Sequence, residues 1–447
     1  MQGAWKIGLL ALAVAGCDGK TTPTDTTPTD ETDVTTTTGP SGDCDPQFFN
    51  CDGVLGAFGE LIIGRRAADV ESEAPRNYAY GVVFEDDFGW LNLIACSLEG
   101  HVCTDSYPAE GESLTPVLAG GYLPDDLSAG DITLANTFLT QDNAFNPPIY
   151  VGLPIIADLD AGPGNLSYAG ELVPFTGDGV FNKVSAIGAT APATDARVRT
   201  NGSDASITFE WAAGGEGDVI LEVADTIWHL ADNGSFTLNI SDTSLTGPVA
   251  VSQVTLSRME LTEFTAGLAD SPEPPEKIND DGVNTWRIQS RSDQVWWVDH
   301  VDAPDRTELA DGVQMAGTCG DAGSVAPIGA GLYYGFLSDY DNDITLPANN
   351  ATLYWPTAGR DGFVKVALSA GQTLDITYLL PLFDAQLYLL DDTCDEDNPL
   401  AGVDDETENA ETLSYTATEA EVVYVVLDAF VPDQGSVFAL DIEITDP

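Results

Sequence analysis

The sequence predicts an all-β protein that consists of two or three antiparallel β-sandwich domains behind a disordered N-terminal tether. First, 447 residues, 43% of them hydrophobic, are too many for one core and apolar enough for folded domains. Second, short apolar runs such as Val82–Phe84 and Trp90–Ile94 are separated by Gly, Pro, Asn and Asp, as is typical of strands. Third, no segment after residue 17 shows three turns of helical periodicity with caps.

The first residues have the parts of an export signal. Lys6 precedes about ten apolar residues, which are too few to span a bilayer as a helix. The run ends with Val14-Ala15-Gly16-Cys17, which resembles the lipobox of bacterial lipoproteins. The resemblance implies a lipoprotein signal peptide over residues 1–16, cleavage before Cys17 and lipidation of Cys17. The alternative is a plain secretory signal that contains a cysteine.

Residues 17–43 are rich in Thr, Pro and Asp and contain almost no large apolar side chain. Such a segment buries too little surface to offset the entropy of ordering, so we expect a disordered, extended tether. Behind a lipidated Cys17, this tether predicts an outer membrane lipoprotein whose folded body is exposed at the surface of the cell envelope.

The charge of the chain excludes some partners. Lys and Arg number 15 against 73 Asp and Glu, which gives a formal net charge of −58. A body this acidic repels polyanions, so we expect no nucleic acid ligand and membrane contact through the lipid anchor only. Adaptation to a saline habitat and the binding of divalent cations are both compatible with this charge.

The cysteines favour structural disulfides. After Cys17, six candidates remain for an oxidising compartment: Cys44, Cys51, Cys96, Cys103, Cys319 and Cys394. The pairs Cys44/Cys51 and Cys96/Cys103 each enclose six residues, which favours two local bridges. Because the sequence has no CxxC pair, zinc ribbons and redox motifs are disfavoured.

Sequence patterns divide the body into segments. Residues 44–190 predict a β domain of unknown function. Residues 191–275 contain longer alternating runs such as Ile207–Trp211 and predict a small β-sandwich. The Pro-rich run Ser271–Glu276 follows, and residues 276–312 are interpreted as a linker or connecting hairpin.

Three tryptophans, Trp286, Trp296 and Trp297, lie in the segment with the highest density of basic residues after the signal. Aromatic side chains interleaved with Arg can form a ligand-binding face. The alternative is that the tryptophans are core residues of a β domain and the charges form local ion pairs.

The C-terminal segment, residues 313–447, contains a series of characteristic runs. In order, they are Thr318–Ala322, Gly331–Gly335, Asp339–Asp343, Gly359–Val364, Leu368–Leu374, Phe383–Leu390, Asp404–Asp405, Glu411–Ala417 and Val422–Asp428. In their order and spacing these runs resemble the bacterial pre-peptidase C-terminal domain over about 130 residues. The resemblance implies a jelly-roll-like β-sandwich. It also implies an appendage of secreted proteins, often hydrolases, that in some cases binds carbohydrate or collagen or assists secretion.

One departure from this family concerns the cysteines. Family members commonly carry further cysteines near residues 350–356 and just after Cys394, and this chain has none there. The resemblance therefore leaves the partner of each of these two cysteines open, and a bridge between Cys319 and Cys394 is one alternative.

Two acidic loops in this segment are candidates for a calcium site, and no other cofactor is expected. Asp339, Asp341 and Asp343 lie in the first loop, and Asp404 and Asp405 lie in the second. Hard cations prefer carboxylate oxygens, but the first loop lacks the glycine and the final glutamate of an EF-hand. The alternative is that both loops are solvated acidic turns.

The sequence contains no familiar catalytic motif and only three histidines, His101, His229 and His300. We therefore expect a lipid-anchored cell-envelope protein, not an enzyme, that acts as a binding or display module for a polysaccharide or protein ligand. The alternative is a secreted or anchored hydrolase with an unrecognised catalytic domain in residues 44–312 and a C-terminal accessory domain. The oligomeric state is not predicted.

Overall fold

A computed structural model describes residues 57–68, 75–85, 110, 113–114, 131–142, 149–152, 159–169, 175–194, 197–224, 226–266, 284–344, 359–395, 398–404, 410–429 and 436–447. All of them belong to one compact unit, Pro46–Pro447. Outside the described residues lie the predicted signal peptide and tether with Cys17, and also Cys44, Cys51, Cys96, Cys103 and Asp405. Within the described part, no helix is long and apolar enough to cross a membrane.

The described residues are almost entirely β-structure, which confirms the predicted fold class. Their strands are β1 (Ala57–Arg66), β2 (Arg76–Glu85), β3 (Ser113–Leu114), β4 (Asp131–Leu134), β5 (Thr137–Asp142), β6 (Ile149–Val151), β7 (Gly162–Ala169), β8 (Phe175–Lys183), β9 (Ala189–Ala191), β10 (Val198–Asn201), β11 (Ser206–Trp211), β12 (Asp218–Val223), β13 (Thr226–Leu230), β14 (Ser235–Asn239), β15 (Val249–Ala266), β16 (Asn284–Val301), β17 (Thr307–Glu308), β18 (Met315–Ala316), β19 (Gly331–Phe336), β20 (Asp361–Leu368), β21 (Thr373–Leu379), β22 (Ala385–Leu390), β23 (Ala401–Val403), β24 (Ala410–Thr416), β25 (Glu421–Ala429) and β26 (Val437–Thr445). The α-helix Cys319–Ala322 makes a single turn, and short 3-10 segments lie at Ile240–Asp242 and Leu337–Asp339.

The largest sheet has 13 strands in the order β3-β13-β12-β15-β16-β1-β2-β6-β5-β4-β7-β8, with β10 paired to β16. It contains strands from the predicted segments 44–190, 191–275 and 276–312, so one sheet continues across the boundaries at residues 190 and 275. Most neighbours are antiparallel, as predicted. However, β1 and β10 both run parallel to β16, which makes this sheet mixed.

Strands β15 and β16 form the centre of this sheet. Each has 18 residues, and they pair antiparallel along their whole length. Because side chains alternate between the two faces of a strand, one face of β16 contributes to two separate cores. Trp286 packs in a first core with Leu61 and Tyr168. Trp296, further along the same face, packs in a second core with Phe209.

A three-stranded sheet in the order β14-β11-β9 covers the second core. The alternating run Ile207–Trp211 forms β11 as the sequence predicts, with Ile207, Phe209 and Trp211 buried and the residues between them exposed. These side chains pack against strands of the large sheet, so this region is a sandwich in which the large sheet forms one layer.

The C-terminal segment forms a sandwich of two five-stranded sheets, β17-β19-β26-β21-β24 and β18-β20-β25-β22-β23. Its core contains inward side chains from both sheets, among them Ile376 and Leu440 from the first and Leu387 and Val425 from the second. The disulfide Cys319–Cys394 joins the helical turn to the segment after β22, with 6.3 Å between the Cα atoms.

Candidate functional site

The predicted tryptophan face requires correction, because these side chains lie inside the protein. Trp286 is fully buried, with its ring centroid 4.5 Å from that of Tyr168. Trp296 is also buried, and its Nε1 donates to the carbonyl oxygen of Pro192 at 3.1 Å. Strand alternation places Trp297 on the other face, where it is half-buried and its ring lies 5.9 Å from that of Phe383. The three tryptophans are therefore core and interdomain packing residues.

The opposite face of the large sheet contains a buried charged layer. The Arg291 guanidinium donates to Glu222 Oε1 at 2.6 Å and to Ser257 Oγ at 2.8 Å. It also contacts Asp293 Oδ1 at 3.3 Å, and Asp293 accepts a hydrogen bond from the Tyr78 hydroxyl. These groups are almost fully excluded from water, and they form hydrogen bonds and ion pairs with one another. The arrangement is a structural network rather than an open site.

A cavity of about 220 Å³ lies at the end of β16 and is the first candidate site. His300 and Asp302 contribute its charged and titratable groups. Hydroxyl groups come from Ser203 in the turn before β11 and from the segment after β14, namely Ser241, Thr243 and Thr246. The turn of this segment is fixed by Thr243, whose hydroxyl donates to the carbonyl oxygen of Ile240 at 2.7 Å.

His300 is the most distinctive group of this cavity. It is 1% exposed, and its Nδ1 lies 2.9 Å from Thr200 Oγ1, a contact across the parallel β10–β16 pair. Burial lowers the pKa of His300, while the negative charge of Asp302 opposes this effect. The imidazole is therefore neutral at neutral pH, which gives the cavity one weak donor or acceptor beside a carboxylate and several hydroxyls.

The pKa of His300 predicts acid-sensitive stability. Because burial lowers this pKa, the unfolded chain binds more protons than the folded one as pH falls below the unfolded value of about 6.5. The stability contributed by the neutral imidazole is full above that value and is lost below it. We expect His300→Gln to reduce the fall in melting temperature between pH 7.5 and pH 5.5. His229→Gln, which replaces a partly exposed histidine, serves as the control. If the melting temperature falls equally in the two variants between pH 7.5 and pH 5.5, the prediction is wrong.

A second concave region lies on the outer face of the C-terminal sandwich, on β21, β24 and β26. It is an open groove of about 460 Å³ whose polar lining comprises Asp375, Thr377, Thr412, Ser414, Asp441 and Glu443. Cross-strand register explains the clustering, since Asp375 lies opposite both Ser414 and Glu443. Arg306 forms an ion pair with Asp441 and neutralises part of the groove.

The structure separates the aspartates predicted to bind calcium. Asp339 forms an ion pair with Arg199, and Asp343 Oδ2 accepts the backbone N–H of Cys319 at 3.0 Å. The backbone carbonyl of Asp341 accepts the N–H of Asp361 at 3.3 Å. Asp404 lies elsewhere, beside Gln386. In the described ranges, no three His, Cys, Asp or Glu side chains come close enough together to hold a metal ion.

Asp404 instead belongs to a polar row at one end of the second C-terminal sheet. Gln386 Nε2 donates to Asp404 Oδ2 at 3.0 Å. Asp428 lies opposite Gln386 on one side and opposite Asp361 on the other, and these three side chains are fully buried. Burial and the charge of Asp404 raise the pKa of the neighbouring Asp384 to about 6. The sequence alone does not identify Asp384 and Gln386 as site residues, because only strand pairing brings them to Asp404.

Comparisons with known proteins give weak similarities. No protein-family model and no curated protein matches the chain. It is similar to the pre-peptidase C-terminal domain of a collagenase from Bacillus anthracis over 26% of this chain and 89% of that one, with 11% identity and a TM-score of 0.18. A carbohydrate-binding module of the β-sandwich superfamily is 9% identical over 55% and 94% of the two chains, with a TM-score of 0.17. The protein SGBP-B from Bacteroides ovatus is 12% identical over 69% and 67%, with a TM-score of 0.13.

Proposed function

We propose that this chain is a lipid-anchored protein of the cell envelope that binds a saccharide at the surface of the outer membrane and does not catalyse a reaction. The observation that carries the binding function is the cavity formed by His300, Asp302 and four hydroxyl side chains. The lipobox-like Val14–Cys17 and the tether of residues 17–43 support the location.

The chemistry of the cavity favours a neutral, hydroxyl-rich ligand. Hydroxyl, imidazole and carboxylate groups can each donate to or accept from sugar hydroxyls. The cavity of about 220 Å³ has room for one sugar unit but not for an oligomer. Asp302 and the net charge of −58 repel anionic ligands, which disfavours acidic polysaccharides.

The same lining argues against glycoside hydrolysis in this cavity. Such hydrolysis generally requires two carboxyl groups, one on each side of the scissile bond. Within the described lining, Asp302 is the sole carboxylate. His300 Nδ1 contacts the Thr200 hydroxyl, which holds the orientation of the ring.

Filling the cavity from its exposed rim tests the proposal. We expect Ser241→Phe to weaken saccharide binding at least about tenfold, which corresponds to about 1.4 kcal/mol. Ser241 is exposed, so the substitution blocks the cavity without disturbing a core. Binding is measured with full-length protein on an array of neutral glycans and then by calorimetry with the best glycan.

Ser244→Phe is the matched control, because Ser244 is an exposed neighbour that does not line the cavity. Equal affinity of the two variants, or absence of binding to any neutral glycan, would contradict the proposal. Release of new reducing ends from the bound glycan would instead support the alternative of a hydrolase.

A further inference from the structure

We propose that Asp384, Gln386 and Asp404 form a calcium site at the edge of the C-terminal sandwich. The inference does not depend on the saccharide-binding function. Of the residues that the sequence predicts to bind calcium, it retains only Asp404.

Strand geometry brings the three side chains together. Asp384 immediately precedes β22 and Gln386 is its second residue, so both project from the same face of the sheet. Asp404 immediately follows β23, which pairs antiparallel with β22 through Leu387 and Val403. Gln386 Nε2 donates to Asp404 Oδ2 at 3.0 Å, and this hydrogen bond joins the side chain that follows β23 to those at the start of β22.

Two oxygen atoms in this set lack a donor. Gln386 is fully buried, and its Oε1 accepts no hydrogen bond. Asp384 Oδ1 is likewise inaccessible and accepts none. A buried acceptor without a donor is costly, and such atoms are rare in folded proteins. Asp384 and Gln386 are two residues apart on one face of the strand, so both unsatisfied atoms belong to one small region.

The charges of this region favour a cation. Asp384 and Asp404 bring two carboxyl groups to one poorly solvated place beside the buried Gln386, where negative charges repel each other. Asp428 and Asp361, both fully buried, continue the row of carboxyl groups beyond Gln386. A bound cation would convert this repulsion into attraction.

The ligand chemistry selects a hard cation. The set supplies two carboxylates and an amide oxygen and no nitrogen or sulfur ligand, which matches calcium and disfavours zinc. Asp384 is only half-buried, so water reaches one side of the site and can complete the six to eight oxygen ligands that calcium takes.

A calcium titration of the full-length protein at pH 7.5, followed by thermal unfolding, tests the proposal. Since the net charge is −58, any divalent cation stabilises the fold somewhat by screening, and ionic strength is therefore held constant with NaCl. The wild type is expected to show a saturable rise in melting temperature that a chelator reverses. Asp384→Asn and Gln386→Leu are expected to weaken the apparent affinity at least about tenfold.

Asp375→Asn is the control, because it removes a carboxylate from the separate acidic groove and should keep the calcium response. Terbium luminescence with the same four proteins gives a second measurement that does not depend on unfolding. A wild type that responds to calcium no more than to NaCl would overturn the proposal. Retention of the full response by both Asp384→Asn and Gln386→Leu would also overturn it.

Discussion

Arg291→Met is expected to lower the free energy of unfolding by about 3–5 kcal/mol, because it leaves buried carboxylates without their cation. The side chain of Arg291 is inaccessible to water, and its partner Glu222, at 2.6 Å, is 2% exposed. Asp293, whose side chain is also inaccessible to water, forms an ion pair with the same guanidinium group. The measurement is chemical denaturation followed by intrinsic tryptophan fluorescence.

The exposed ion pair Arg199–Asp339 provides the matched control for this prediction. Its two side chains are 41% and 45% exposed, and Arg199 also stacks on Phe336. Arg199→Met is expected to cost about 1 kcal/mol. Adding Glu222→Gln to Arg291→Met should recover part of the loss, since it removes one uncompensated charge. Equal losses in Arg291→Met and Arg199→Met would show that the network is solvated.

Cys17→Ser is expected to move the protein from the membrane fraction to the soluble fraction completely. The substitution removes the thiol that the proposed lipid modifies, and about ten apolar residues cannot anchor the chain as a spanning helix. The measurements are fractionation of cells and labelling with a radioactive or clickable fatty acid.

Thr21→Ala, four residues along in the tether, is the control and should leave both the lipid label and the membrane association unchanged. Mass spectrometry of the mature N-terminus adds an independent check, since a lipoprotein begins at the modified Cys17. A Cys17→Ser variant that stays in the membrane fraction would contradict the lipid anchor. Protease shaving of intact cells then tests surface exposure, because a protein facing the periplasm is protected.

Local patterns in the sequence predicted the strands well. The run Ile207–Trp211 alternates in the sequence and alternates in burial in the structure. Runs such as Ala385–Leu390 and Glu421–Ala429, rich in β-branched and aromatic residues, form strands of the C-terminal sandwich. Such patterns are visible because strand periodicity depends on neighbours two residues apart.

Long-range pairing was not predictable in the same way. Ile63 pairs with Ser290 in the parallel β1–β16 ladder, and nothing in either run specifies this partner. The same limitation explains the tryptophans. The density of Arg around Trp286 suggested a surface, whereas Arg291 and Arg306 form ion pairs with Glu222 and Asp441 on other strands. This limitation also explains Gln386, whose role depends on Asp404 across a strand pair.

The parallel pairing of β1 with β16 has a mechanical consequence for a tethered protein. The predicted tether precedes β1 in the sequence, while the His300 cavity lies at the C-terminal end of β16. Tension between an anchored Cys17 and a ligand held in the cavity would therefore pull these two adjacent strands in opposite directions along their axes. The hydrogen bonds between residues 58–66 and 285–293 would then share the load in shear instead of opening one after another.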